Sequence, residues 1–295
     1  NDRHGHELSL HAHVRMASEW LVRQIDSSPW KLLEYKRLNP MGLPNQAWKD
    51  SETSYLHLDG RPANADGGIA AIEVQGYAYD ALLAAARLSA FDDGEAADWR
   101  NLATQLQKST LQNMWMPDVG FFAQGLDRDE HGNLRQIATL TSNGAAILDS
   151  RLLLDLPDDQ RGNFVALLTR TITGPDFITD AGVRLRALRH VDLIDFADYH
   201  GAQVSWPKET YDIAKGLRRH GQVDAANDLE RRIVKAVLQS GEFYEFYYVN
   251  RDGKVKYRYR SEHPDEPEFH TFGAANTPEP GQAWTLSAFL GISLR

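Results

Sequence analysis

The chain has 295 residues, with 32 basic against 41 acidic side chains for a net charge of −9, and 42% hydrophobic and 10% aromatic residues. That is enough apolar material for a substantial core in one large domain or two ordinary ones, and the acidic balance argues against nucleic acid or an anionic membrane as the main partner, because phosphates meet a repulsive field. Cysteine is absent, which excludes disulfides and thiolate metal sites.

The N-terminal NDRHGHEL has neither the basic start nor the apolar core of a leader, and no run approaches the roughly 18 apolar residues of a membrane span. A cytoplasmic protein is therefore expected. From Leu8 to Ile25, Leu10, Val14, Ala17 and Leu21 recur at helical spacing ahead of the Ser27, Ser28, Pro29 stop, which predicts an amphipathic helix. Ile69 to Phe91 is apolar or small on nearly every side and predicts a helix buried all round. Glu95 to Met114 returns to one apolar side, with Trp99, Leu102 and Leu106.

Further helices are predicted over Ser142 to Leu154, Asp158 to Thr171, Pro207 to His220, Gln222 to Leu238 and Gly281 to Leu290, eight in all. GFFAQGLDRDEHGNLRQIATL reads as a hairpin, and FYEFYYVNRDGKVKYRYR as a second one turning at Asn250 to Gly253. Inner and outer helices joined by long aromatic-rich loops predict an all-α fold in two concentric layers, with function in the loops at one end. No linker or charge block divides the chain, so residues 1–295 form a single domain in this reading.

Several motifs carry less than they promise. Glu73, Tyr77 and Asp80 share one face of the second helix, where buried polar groups need partners from neighbouring helices. His4, His6, His11 and His13 suggest a metal, but His11 and His13 point apart on a helix. Asp127, Asp129 and Gly132 echo a calcium loop whose acidic twelfth position is here Ala138. KVKYRYR alternates bases and rings, as a hairpin with one wet face does. No metal and no cofactor are expected.

Two segments join carboxylates to aromatic rings: EYKRLNPMGLPNQAWKDS and GEFYEFYYVNRDG. A pyranose offers an apolar face for stacking and hydroxyls for polar side chains. Cleaving its glycosidic bond takes one carboxylic acid to protonate the leaving oxygen and one carboxylate opposite. Two rivals stay open on the residues alone: a sugar epimerase or lyase using His200 and Tyr199 for proton transfer, and a non-catalytic carbohydrate-binding subunit.

The first segment, followed by AAIEVQGYAYDALLAAARL, TLTSNGAAIL, YHGAQVSWPKETYDIAKGLRRHG and GQAWTLSAFLGI, resembles the catalytic domain of bacterial glycogen-debranching-like and mannosylglycerate-hydrolase-like glycoside hydrolases. These are related to trehalase and processing α-glucosidase I. The likeness runs in order from about Leu33 to the C-terminus. It implies an (α/α)6 barrel and inverting hydrolysis of an α-glycoside, with Asp50 of the W-K-D-S loop as general acid and Glu245 of FYEFYY as general base, Glu242 being the alternative base. It further implies that Tyr35, Gln46, Trp48, Lys49, Glu73, Gln75, Tyr199, His200, Trp206 and Gln282 line a sugar pocket. The sequence departs from the family pattern at Ala47, where relatives carry glycine, and in YHGAQVSWPKE. Against a barrel of twelve helices, the eight found here correspond to its later two thirds. The first four and any β-sandwich are then missing, and a second chain or segment is expected to supply them.

Overall fold

The computed structural model describes residues 9–88, 93–194, 198, 200–256 and 278–295. His4, His6, Phe91, Tyr199 and residues 257–277 lie outside the described residues. Helix α1, Leu10–Ser27, begins where Ser9 Oγ accepts a hydrogen bond from the Ala12 N–H at 3.2 Å, satisfying one of the donors left open at a helix start. Strand β1, Ala70–Ala71, then leads directly into α2, Ile72–Leu88.

The expectation that α2 is buried all round is wrong. It packs against α1, against α3 (Asp93–Met114) and against residues 143–154, burying Ile72, Tyr79, Leu82 and Ala85. Tyr77 is 52% exposed, and Ala81, Ala84 and Leu88 continue the same stripe along the open side. Alanine misled the reading because it tolerates burial and exposure alike.

Beyond α3, β2 (Trp115–Met116) pairs with β3 (Phe121–Phe122). The first predicted hairpin follows as β4, Gly125–Arg128, against β5, Leu134–Ile137, with Gly125 opposite Ile137 and Arg128 opposite Leu134. β1 joins the free edge of β4. Asp129 closes the turn by accepting from the main-chain N–H groups of His131 and Asn133 at 2.9 and 2.8 Å, so it serves the turn and not a cation.

The predicted Ser142–Leu154 helix is broken in three: α4 (Asn143–Ala146), a 3-10 turn (Ile147–Asp149) and α5 (Arg151–Leu154). Ser150 is extended at the break. Its hydroxyl donates to Gly76 O at 3.1 Å and accepts from the Leu152 N–H at 3.0 Å. Asp80 of α2 accepts from the Arg151 N–H at 2.9 Å, so α2 caps a helix start that no local pattern announces.

Helix α6, Asp158–Ile172, packs behind α4 and α5. Strands β6 (Ile178–Thr179) and β7 (Gly182–Val183) make a short hairpin. The second predicted hairpin is β9 (Tyr247–Val249) against β10 (Val255–Lys256), with β8 (Val204–Ser205) on the other edge of β9. Between β8 and β9 lie α7, Pro207–Arg219, and α8, Val223–Ser240; α9, Ala283–Ser293, ends the chain.

Helices α2, α4, α7 and α9 are successive neighbours in one layer, with α3, α6 and α8 packed behind α2, α4 and α7. The approach of α7 to the 3-10 turn is close enough to require glycine: a Cβ at Gly216 would stand 2.5 Å from the Leu148 carbonyl carbon and 2.6 Å from Asp149 N. One hydrophobic core runs between the layers, from Leu21 through Leu82, Phe121, Leu152 and Leu168 to Leu229. Among the described residues no helix is long and apolar enough to cross a membrane.

Candidate functional site

The loops that precede the inner helices meet at one end, and Lys49 lies at their junction. Its ammonium is 1% exposed and donates to Ser142 Oγ (2.7 Å), Asn143 Oδ1 (2.5 Å) and Leu185 O (3.2 Å), with Glu209 Oε1 at 3.8 Å. Burial pulls its pKa down to about 8, against the opposing pull of Glu209 and Glu73. An ammonium has three protons to donate and all three have protein acceptors, so Lys49 faces into the protein. The implied sugar contact for Lys49 is replaced by this anchorage.

Asp50, half-buried, follows directly. On its far side Thr53 Oγ1 donates to Asp198 Oδ2 at 2.6 Å, and Ser51 Oγ to Asp198 Oδ1 at 3.2 Å. Arg186, 1% exposed, donates to Thr53 O at 2.7 Å and lies 3.5 Å from Asp198. The two residues that flank Asp50 are thus each tied to different parts of the fold.

An aromatic run connects this loop to the second candidate carboxylate. Trp48 meets Trp206 edge-on at 5.3 Å, and Trp206 stacks on Phe246 at 5.4 Å with the planes 21° apart. Trp206 sits just before Pro207, which takes the favoured first position of α7. His200 stacks on Trp206 at 5.4 Å and meets Trp48 at 5.3 Å. Its Nδ1 lies 3.1 Å from Ser54 Oγ and 3.2 Å from Ser51 Oγ. With 2% exposure, burial pushes its pKa down to about 3, Lys49 and Arg186 assisting and Asp198 opposing. His200 is therefore a neutral ring near neutral pH.

Glu245 immediately precedes Phe246 and is partly buried. Its main-chain N–H donates to Glu279 O at 2.9 Å, and its pKa is raised by burial and by the charge of Glu279. Glu242 is committed to the backbone: one carboxylate oxygen accepts from the N–H groups of Phe243 (2.7 Å) and Gly281 (3.0 Å). Gln282 is the cap residue of α9, and its main-chain N–H donates to Phe243 O at 2.8 Å.

The remaining expected pocket residues separate into two groups. Glu73, 1% exposed in the first turn of α2, accepts from the Tyr55 hydroxyl at 3.3 Å. Burial raises its pKa, while the Asn143 amide and the Lys49 ammonium pull it back. Tyr35 is half-buried, and its hydroxyl donates to Asn45 Oδ1 at 3.1 Å; Gln46 is exposed, with its amide on Lys36 O. Gln75 is fully buried and turned away: its Oε1 accepts from the Leu33 N–H, and its Nε2 donates to Leu33 O and Ala71 O, each at 2.9 Å. Its place in a sugar pocket is replaced by a structural task, docking the Leu33 segment on α2.

Sequence reasoning missed Ser142, Asn143, Asp198 and Glu209. Glu209 stood in view, since an acid at the third position of a helix opened by Trp-Pro suits the positive end of the helix dipole. It is fully buried and accepts from Ser142 Oγ at 2.7 Å. Glu209 Oε2 and the indole Nε1 of Trp48 are buried with no hydrogen-bond partner among the described residues.

The sequence profile of the mannosylglycerate hydrolase MGH1-like glycoside hydrolase domain matches residues 17–271. The chain belongs to this family. The match agrees with the resemblance read from the motifs and begins earlier, within α1. Among solved structures, this MGH1-like domain is similar to the GH63 mannosylglycerate hydrolase from Thermus thermophilus in complex with glucose. The TM-score is 0.51 at 17% identity, over 79% of this chain and 46% of that one. A structure described as a sialidase gives 0.56 at 12% identity over 82% of this chain and 21% of that one. Neutral trehalase Nth1 from Saccharomyces cerevisiae gives 0.49 at 17% identity, covering 64% of this chain and 36% of that one. A search of curated proteins finds no match. The MGH1-like chain spans about half the length of the Thermus enzyme, and the mostly helical fold is shared over that part.

Proposed function

We propose that this domain is an inverting α-glycosidase acting on an α-glucoside or a related small sugar, with Asp50 as general acid and Glu245 as general base. The observation that carries the reading is the ring sequence Trp48, Trp206, Phe246. It joins the loop of one acid and the strand entry of the other through a common aromatic cluster, buried at Trp206 and Phe246 and partly open at Trp48, in a family of glycoside hydrolases. Trp48, the partly buried ring of the three, is the one that suits the apolar side of a pyranose. Asp50 donates its proton to the leaving oxygen, and Glu245 takes one from a water on the opposite side of the ring. The two carboxyl groups are expected about 6.5–9.5 Å apart to admit that water. A raised pKa makes Glu245 the stronger base once ionised, and the backbone commitments of Glu242 favour Glu245 over it.

Substrate contacts in this reading come from Gln46, Trp48, Glu73, Trp206, Gln282 and Tyr35, with Tyr199 retained as a sequence expectation. The glucose bound by the Thermus enzyme supports a carbohydrate substrate here. Deep burial and a pKa near 3 disfavour His200 as a proton-transfer group, and with it the epimerase and lyase alternative. The layered helices form part of an (α/α)6 toroid. The exposed stripes of α2 (Tyr77, Leu88) and α9 (Trp284, Leu286, Leu290) support further helices packing there.

The test is a panel of α-linked disaccharides and glycosylglycerates, with the anomer of the first product followed by NMR. Inversion is expected, with loss of turnover in Asp50→Asn and Glu245→Gln. Near-parental hydrolysis in both variants overturns the assignment.

A further inference from the structure

Lys49 is a costly residue for its position. A buried ammonium has to recover its lost hydration from fixed partners, and an apolar side chain of similar length would fill the space without that burden. The partners it has come from separate elements: Ser142 and Asn143 at the start of α4, Leu185 beyond β7, and Glu209 in the first turn of α7. They are themselves held. Ser142 Oγ donates to Glu209 Oε1 at 2.7 Å, and Thr141 Oγ1 to Asn143 Oδ1 at 2.9 Å. The anchor is therefore attached to the starts of two inner helices, with Leu185 of the segment after β7 as its third acceptor.

Asp50 is the next residue. Consecutive Cα atoms are about 3.8 Å apart, so fixing Lys49 on one side and Ser51 and Thr53, through Asp198, on the other leaves the Asp50 backbone little freedom. The side chain of Asp50 then moves only by its own rotations. Displacement of a reacting group by about 1 Å can cost on the order of 100-fold in rate, so this constraint bears directly on proton transfer.

We infer that Lys49 is a positioning residue: its ammonium, held by Ser142, Asn143, Leu185 and Glu209, fixes the main chain from which Asp50 reaches the glycosidic oxygen. The inference rests on Asp50 being the general acid. It predicts a specific kind of defect when the anchor is removed. Bond cleavage that needs a proton on the leaving group suffers, whereas cleavage that expels a good leaving group does not.

The experiment compares the parent, Lys49→Met and the double variant Lys49→Met/Glu209→Gln, in the full chain, on two substrates of the same sugar. One is an alkyl α-glycoside, whose leaving alkoxide needs the acid. The other is the α-glycosyl fluoride, whose fluoride leaves without it. The double variant removes both members of the ion pair, so that a fold intolerant of an unpaired Glu209 still gives a result. In both anchor variants the ratio of kcat on the alkyl glycoside to kcat on the fluoride is expected to fall about 100-fold, and in Lys49→Met alone fluoride hydrolysis and both KM values stay within about threefold of the parent. An equal loss on both substrates, or no loss on either, overturns the inference. Asp50→Asn is measured alongside. If it shows no preference for the fluoride, the acid assignment itself fails. If it shows one and the anchor variants do not, only the role of Lys49 falls.

Discussion

The buried imidazole of His200 gives a pH dependence that can be worked through. In the unfolded chain it titrates near 6.5; in the folded chain burial depresses it to about 3. Between those values the unfolded state holds a proton that the folded state refuses, so stability falls as pH drops below 6.5 and the loss levels off near 3. Integrating this single titration between pH 7 and pH 5 gives about 2 kcal/mol of lost stability. Urea unfolding of the parent and of His200→Asn at pH 7, 6 and 5 measures it. Titrating groups that do not interact with His200 behave alike in both proteins, so their pH dependence cancels in the difference. The variant starts less stable, because it loses the contacts with Trp48 and Trp206. Across the range it should lose about 2 kcal/mol less than the parent. Parallel stability curves for the two proteins would refute the reasoning, since they would mean that the folded state accepts the proton as readily as the unfolded one.

Two substitutions test the packing that supports the site. Gly216→Ala should lower the urea midpoint with little change in slope, at a cost of about 1–3 kcal/mol or more, because the new methyl meets backbone that cannot swing aside. Arg184→Met removes hydrogen bonds to Ala202 O (2.6 Å), Asn250 O (2.7 Å) and Arg251 O (2.8 Å). With each lost partner worth about 1–3 kcal/mol, limited proteolysis should show faster cutting at the Asn250–Gly253 turn, and thermal melting should shift downward.

Helices were legible where burial follows the turn of the chain. The dry side of α3 is written in Trp99, Leu102 and Leu106, and Pro207 marks a real start; on α1 the expected side is only partly the buried one, since Leu10 and Ala17 are exposed and Ser18, Leu21 and Ile25 are buried. The break at Ser150 was not legible, because its cause is Asp80 and Gly76 on another helix. The same limit applied to polar residues near the candidate site. Lys49 and Gln75 have side chains equally able to reach a sugar or a backbone carbonyl, and only the placement of Leu185 and Leu33 decides which. For Asp50 and Glu245 the sequence supplied chemistry by motif; the aromatic run that links their loops is long-range, and no spacing along the chain encodes it.

The connections between layers differ in length at the two ends of the molecule. Away from the candidate site, α5 reaches α6 through residues 155–157 and α7 reaches α8 through residues 220–222. At the site, residues 28–69 intervene between α1 and the strand that leads into α2. Helix pairs joined by short turns can form from contacts close in sequence, whereas the site end needs segments such as Lys49 and Leu185 to find one another across 136 positions. The folding order implied is helix pairs first and the candidate-site end last. The surface that has to be most accurately built is then the one that loop closure assembles over helices already in place.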